Sequence, residues 1–195
     1  MDDSSTAPPP STRDRIVEQA DRLFYEGGYD HTSFATIAAQ VGISRGNFHH
    51  HFKAKDDILA AVIERRRNST ASMLRSWEQA ASTPTGRLRC FIDMVAENRQ
   101  DIMRFGCPVG SLCSELAKHQ HSLLGASGTI FEQFRTWLRE QFEQLDVAPS
   151  PDDLAMHLLA MSQGVAVLAN VYKDPEFLAR EVARMHRWLD DTIEG

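Results

Sequence analysis

Polar side chains crowd into residues 44–55: Ser44, Arg45, Asn47, His49, His50, His51 and Lys55, with Gly46 among them. Arginine carries a planar fork that fits guanine O6 and N7, and asparagine makes the matching two-point contact with adenine. Ser44 opens a short helical pattern, where a hydroxyl and exposed backbone N–H groups form an anion site. Gly46 costs a helix about 1 kcal/mol relative to alanine, and it lets the backbone come close to another surface. Arg45 and Asn47 are therefore candidates for reading base edges, Ser44 and His50 for phosphate, and Gly46 for close approach to a duplex. The triple histidine invites a metal reading. Neighbouring helix positions point about 100° apart, so three in a row do not converge on one ion, and no metal site is expected. His51 is expected to pack at a domain edge and Phe48 to be core rather than a thymine-methyl contact.

These residues need a scaffold. Residues 32–57 read as two short helices around the turn Val41-Gly42-Ile43-Ser44. Thr32 is expected to cap the first, whose apolar face is Phe34, Ile37, Ala38 and Val41. Gly42 supplies the left-handed residue that ends it. Ser44 caps the second. A preceding helix from about Thr12, with Asp14 in its first turn and Ile16, Ala20, Leu23 and Phe24 at helical spacing, completes a three-helix domain. Two helices around a glycine turn form a helix-turn-helix, which lays its second helix in a DNA major groove.

The run Ile37-Ala38, Val41 to Gly46, His51-Phe52 and Lys55-Asp56 resembles the helix-turn-helix of TetR-family transcriptional regulators over residues 12–64. Beyond them the resemblance rests on length and helical layout. It implies an all-α protein of about nine helices, with a helix-turn-helix DNA-binding domain at 12–58. A C-terminal ligand-binding and dimerisation domain follows at 59–195. It also implies Thr32, Thr36 and Lys55 as backbone contacts. His49 stands where the family usually has a phosphate-contacting tyrosine. Imidazoles as a class gain charge on acidification, so phosphate contacts through histidine would strengthen below neutral pH. The implied partners are double-stranded operator DNA, a small-molecule effector and a second copy of the chain. The implied role is a ligand-responsive repressor, with an activator as the alternative.

The charge balance supports only a local DNA surface. The chain carries net charge −6; residues 1–67 hold nine Lys/Arg against ten Asp/Glu. The sign reverses within 44–67, through Arg45, Lys53, Lys55, Arg65, Arg66 and Arg67. The three adjacent arginines fan around a helix, and a solvated collar is expected. Residues 1–11 are polar and proline-rich and read as a disordered tail. No apolar run approaches about 18 residues, so no membrane span is expected. Three cysteines and no signal-like leader suit a reducing cytoplasm.

Beyond the first domain the pattern is helical throughout. A long helix at 55–81 bridges to the second domain. Helices are expected at 87–104, 111–118, 125–145, 152–172 and 175–194, with breaks at Ser82-Thr83-Pro84-Thr85-Gly86 and Phe105-Gly106-Cys107-Pro108-Val109-Gly110. Helix 152–172 is apolar nearly all round, which predicts burial on every side and a homodimer interface together with 175–194. Trp77, Phe91, Met94, Met103, Cys107, Phe134, Trp137, His157 and Met161 are candidates for lining an effector cavity, although such a stripe is also ordinary core. The run Gly106-Cys107-Pro108-Val109-Gly110-Ser111-Leu112-Cys113-Ser114-Glu115-Leu116 is similar to that of an electrophile- and acrylate-responsive TetR subgroup. This implies a reactive thiol at Cys107, with Cys113 inside the helix. A thiol enzyme would have to pair Cys107 with His119 or His121. No phosphate loop or metal-ligand spacing accompanies them, so neither enzyme activity nor a cofactor is expected.

Overall fold

Glycine and proline punctuate this chain into helices. The computed structural model describes residues 10–145 and 147–194, so the expected disordered tail lies outside the described residues except for Pro10 and Ser11. The described residues form ten helices and no strand: α1 Thr12–Gly27, α2 Phe34–Val41, α3 Arg45–His51, α4 Lys55–Ala80, α5 Pro84–Glu97, α6 Arg99–Phe105, α7 Pro108–Lys118, α8 Leu124–Phe142, α9 Pro151–Tyr172 and α10 Pro175–Glu194. They gather into two compact units, one ending at Val62 and the other beginning at Ile63.

In the first unit Ser11 and Asp14 make a reciprocal capping box at the start of α1. Gly28 (φ 87°) ends that helix, and Gly42 (φ 74°) ends α2 in the left-handed region that only glycine enters without strain. The core joins Ile16, Ala20 and Phe24 of α1, Ile37 and Val41 of α2, Phe48 of α3, then Phe52, Ile58 and Leu59. Phe34 is half-buried against Phe48. Arg15 Nη2 donates to Val41 O at 2.7 Å, satisfying a carbonyl at the end of α2. One expectation is corrected. Ser33, not Thr32, caps α2, its Oγ accepting from Thr36 N–H. Thr32 is 5% exposed and donates its hydroxyl to Gly28 O at 2.8 Å, locking the loop after α1.

In the second unit the expected helix at 87–104 divides at Asn98 into α5 and α6. Asn98 leaves helical geometry and turns its amide back onto Met94 O. Two helices begin earlier than expected. Thr83 caps α5 and Cys107 caps α7, each followed by a proline at the first helical position. Proline there loses no hydrogen bond, because that N–H has no intrahelical partner.

The arginine collar is also corrected. Arg65 and Arg67 are exposed, but Arg66 is 8% exposed and donates to Pro108 O at the start of α7. Three consecutive helix positions cannot all face water when one side of the helix is packed. Arg66→Met keeps the aliphatic stem but leaves the Pro108 carbonyl without its charged donor. It should lower stability by about 1.5–3 kcal/mol, read as a reduced urea midpoint with an unchanged m-value.

Helix α9 packs against α6, α8 and α10, and α5 packs against α8 and α10. Arg135 of α8 grips Asp152 in the first turn of α9 with two bonds, 2.9 and 2.7 Å. That hydrogen bond, outweighing partial desolvation, holds the Asp152 carboxyl below the usual aspartate range. A lowered folded value stabilises above the unfolded pKa of about 3.9, and the effect fades as pH falls through the folded value. Asp152→Asn should therefore melt below wild type at neutral pH, and the gap should close on acidification below about pH 4. A gap that stays constant to pH 3 would sever the link to this ion pair.

Burial of α9 is one-sided, which corrects the expectation of burial all round. Leu154, Ala155, Leu158, Leu159, Val165, Ala166 and Ala169 face inward. Met156, Val167, Leu168, Val171 and Tyr172 are exposed, and all the large exposed apolar side chains among the described residues belong to this one helix. By length and composition alone α9 could cross a membrane, but its packed face is that of a core helix.

Candidate nucleic-acid interface

Helix α3 is short, and its position is set by neighbours rather than by its own propensity. Phe48, 1% exposed, anchors it against Phe34 (ring centroids 5.2 Å) and Phe52 (6.5 Å). Ser44 caps it, accepting from Asn47 N–H at 3.3 Å. With Phe48 pointing inward, Ser44, Arg45, Gly46, Asn47, His49 and His50 are exposed on the remaining surface. Neither Arg45 nor Asn47 spends its side chain on a hydrogen bond to a described residue. Gly46 has ordinary helical backbone, and a Cβ built there meets nothing within 4 Å. The fold itself gives no reason for a glycine at this position.

The histidines diverge as helical geometry requires. His49 stands edge-on to Phe34 at 5.5 Å, while His50 and His51 meet each other at 5.4 Å. An apolar hollow of about 380 Å³ lies beside them, between Phe34, Ala35 and Ala38 of α2 and Arg45, Phe48 and His49 of α3. Ser33 and Thr36 are exposed at the start of α2, their hydroxyls 2.9 Å apart. Ser33 was missed in the sequence because Thr32 is an equally good cap by type; only the burial of Thr32 decides between them.

Lys55 is half-buried rather than free. Its ammonium lies 4.1 Å above the Tyr29 ring and donates to Asp30 O, while Tyr29 OH donates to Asp56 Oδ1 at 2.6 Å. This ties the first turn of α4 to the loop after α1.

In the second unit the candidate cavity residues part into three places. Trp77, Phe91, Phe134 and Trp137 form one aromatic cluster, with centroids 5.5 Å apart for the tryptophans and 5.7 Å for the phenylalanines. Trp137 Nε1 donates to Glu78 at 2.9 Å. Met94, Met103 and Met161 are half-buried. His157 packs at a tilt against Trp188, ring centroids 5.1 Å apart, and lines a hollow with Val147, Ala148 and Pro149. Cys107 lines another, between α7, α8 and α9, together with Cys113, Gln163 and Asn170. The Cys107 Sγ accepts from Gly110 N–H at 3.4 Å, and Cys113 donates to Ser127 Oγ at 3.3 Å. Burial pushes the Cys113 thiol up, and Cys90 likewise.

Comparison with known proteins agrees with this geometry. Residues 16–62 match the family described as bacterial regulatory proteins, tetR family, and residues 84–184 match the C-terminal domain of LmrA/YxaF-like transcriptional regulators. The chain is 24% identical over 168 residues to an HTH-type transcriptional regulator in the lacX 3' region of Lactococcus lactis, covering 84% of this chain and 86% of that protein. It is 25% identical over 171 residues to the HTH-type transcriptional repressor DhaR of Mycobacterium sp. GP1, covering 84% and 85%. A solved TetR transcriptional regulator of Legionella pneumophila superposes with a TM-score of 0.83 at 25% identity, over 96% of this chain and all of that one.

Proposed function

This chain belongs to the tetR family of bacterial regulatory proteins, and from that premise we propose that it is a ligand-responsive repressor acting in the cytoplasm. It is a helix-turn-helix transcriptional regulator, and regulators of this family bind DNA operators and dimerise. Here α3 enters the major groove of each half of a palindromic operator. Arg45 and Asn47 contact base edges, and Gly46 admits the close approach. Ser33, Thr36, Ser44, His49 and His50 meet phosphate, joined by Lys55, whose ammonium Tyr29 and Asp30 hold in place. A second copy docks through α9 and α10. A small molecule in the second unit favours a conformer with misplaced recognition helices, and DNA is released. The effector must bind the two conformers unequally, or it shifts nothing. Helix α4 runs from the first unit into the second and is the element through which the two are coupled.

The observation that carries this reading is the exposed Arg45-Gly46-Asn47 turn, uncommitted within its own fold and held by a buried Phe48. The test is electrophoretic mobility shift with the promoter region of its own gene, at low salt and without effector. Specific retardation supports the proposal and its absence overturns it. A promoter reporter with and without the gene separates repressor from activator.

A second reading has Cys107 as the reactive thiol of an electrophile sensor, favoured by its position as cap of α7 on the wall of a hollow. Cys107→Ser would then keep operator binding and lose the response to electrophiles.

A further inference from the structure

The hollow between α7, α8 and α9 has a volume of about 510 Å³, within the range that holds small organic ligands. None of its thirteen lining residues is Asp, Glu, Lys, Arg or His. A charged guest would shed its hydration there with no charged side chain on the wall to replace it, at a cost of several kcal/mol. Burial raises the Cys113 thiol, which keeps that wall neutral as well. The walls are not inert. The Asn170 amide donates to Met103 O, leaving its carbonyl oxygen as an acceptor. Gln163 Oε1 sits close over Gly110, in the space that any side chain at that position would take. Phe131, Leu124, Val167 and Val171 supply apolar surface.

The rim carries a second observation. Val167 and Val171 line the hollow and are also 61% and 65% exposed. They border a face of α9 on which Met156, Ala160, Gly164, Leu168 and Tyr172 recur every four residues, all exposed. At Gly164 a Cβ would meet nothing within 4 Å, so a neighbouring helix can approach closely. A second copy seated on this face would cover the rim.

We propose that this hollow is the effector site, that it takes an uncharged molecule with an apolar body and a hydrogen-bond donor, and that a second copy of the chain closes its mouth. The proposal rests on the dimer and effector reading above. Its consequence is reciprocal linkage: each occupied site strengthens the dimer by the factor by which dimerisation strengthens binding at that site, and two occupied sites by its square.

The probe is N-phenyl-1-naphthylamine, a neutral dye that brightens in apolar surroundings, compared with the anionic 8-anilinonaphthalene-1-sulfonate. The wild-type dimer should bind the neutral dye at one site per subunit and at least about tenfold more tightly than the anion. Ala117→Trp, at an exposed position on the wall, should fill the hollow and abolish binding. Leu168→Asp, on the exposed face of α9 but not on the wall of the hollow, should give monomers that bind the dye at least about tenfold more weakly. Dilution of wild type through its own dissociation range makes the same comparison without a substitution, and saturating dye should shift that range to lower concentration. Unchanged dye binding in Ala117→Trp, or preference for the anion, overturns the site. Equal dye affinity in monomer and dimer overturns the closure alone. A wild type that never dimerises overturns the dimer reading itself, a result distinct from both.

Discussion

Arg45→Ala should weaken operator binding by between about thirtyfold and twenty-thousandfold while leaving the protein folded. A two-point arginine contact with guanine contributes about 1–3 kcal/mol. A dimer on a palindrome loses it twice, which gives about 2–6 kcal/mol and that range of affinity. Arg45 is exposed and makes no hydrogen bond to a described residue, so the stability change should stay within about 0.5 kcal/mol. The surrounding charge sharpens the expectation. The chain is net negative, and its first 67 residues are nearly balanced, so little non-specific attraction remains to hold a complex that has lost its base contacts. Fluorescence anisotropy on the operator and on a scrambled duplex, across a salt series, separates the two roles of an arginine. A base contact costs affinity on the operator only. A phosphate contact costs it on both duplexes and reduces the salt slope by about 0.9 per contact. Operator affinity within twofold of wild type would remove Arg45 from the interface.

The residues that made this argument possible were legible because helix-turn-helix geometry is local. Gly42, Ser44, Phe48 and the residues around them fix one another over short spacings, and the observed cap of α3 stands where residue type placed it. Failures came where residue type was degenerate. Thr32 and Ser33 cap equally well, and burial from α1 decided between them. Proline in Thr83-Pro84 and Cys107-Pro108 reads as a break by composition but begins a helix when a cap precedes it. The three-arginine run was legible as a fan, but which arginine turned inward depended on the partner carbonyl at Pro108, forty-two residues away. Lys55 was expected as a contact to the DNA backbone; its placement over Tyr29 needs a loop that the spacing does not describe. The second unit was least legible. A stripe of aromatic and methionine residues has the same spacing whether it fills a core or lines a cavity. Trp77, Phe91, Phe134 and Trp137 pack edge-on or tilted against one another, while the uncharged hollow draws on Gln163 and Asn170, polar residues in no stripe at all.

Gly46→Ala should make the protein more stable and a poorer operator binder, two effects of opposite sign from one methyl group. Gly46 occupies the second position of α3, in helical backbone, with open space where a Cβ would stand. Alanine there is unstrained and restricts the unfolded chain, a gain of about 0.5–1 kcal/mol. Ordinary selection for stability does not explain the glycine. On the operator the methyl group would meet the duplex and hold α3 away from it, so that Arg45 and Asn47 lose their geometry together. A loss of more than about tenfold is expected, since misplacing even one base contact per half-site costs about 1–3 kcal/mol. The second unit supplies a matched control. Gly125 occupies the second position of α8, is exposed, and also has nothing within 4 Å of a built Cβ. Gly125→Ala should show the same stability gain and unchanged operator affinity. Equal operator affinity for both variants would mean that the backbone of α3 does not approach DNA closely. Base readout would then have to come from longer side chains at greater distance, for which Arg45 has the reach and Asn47 does not.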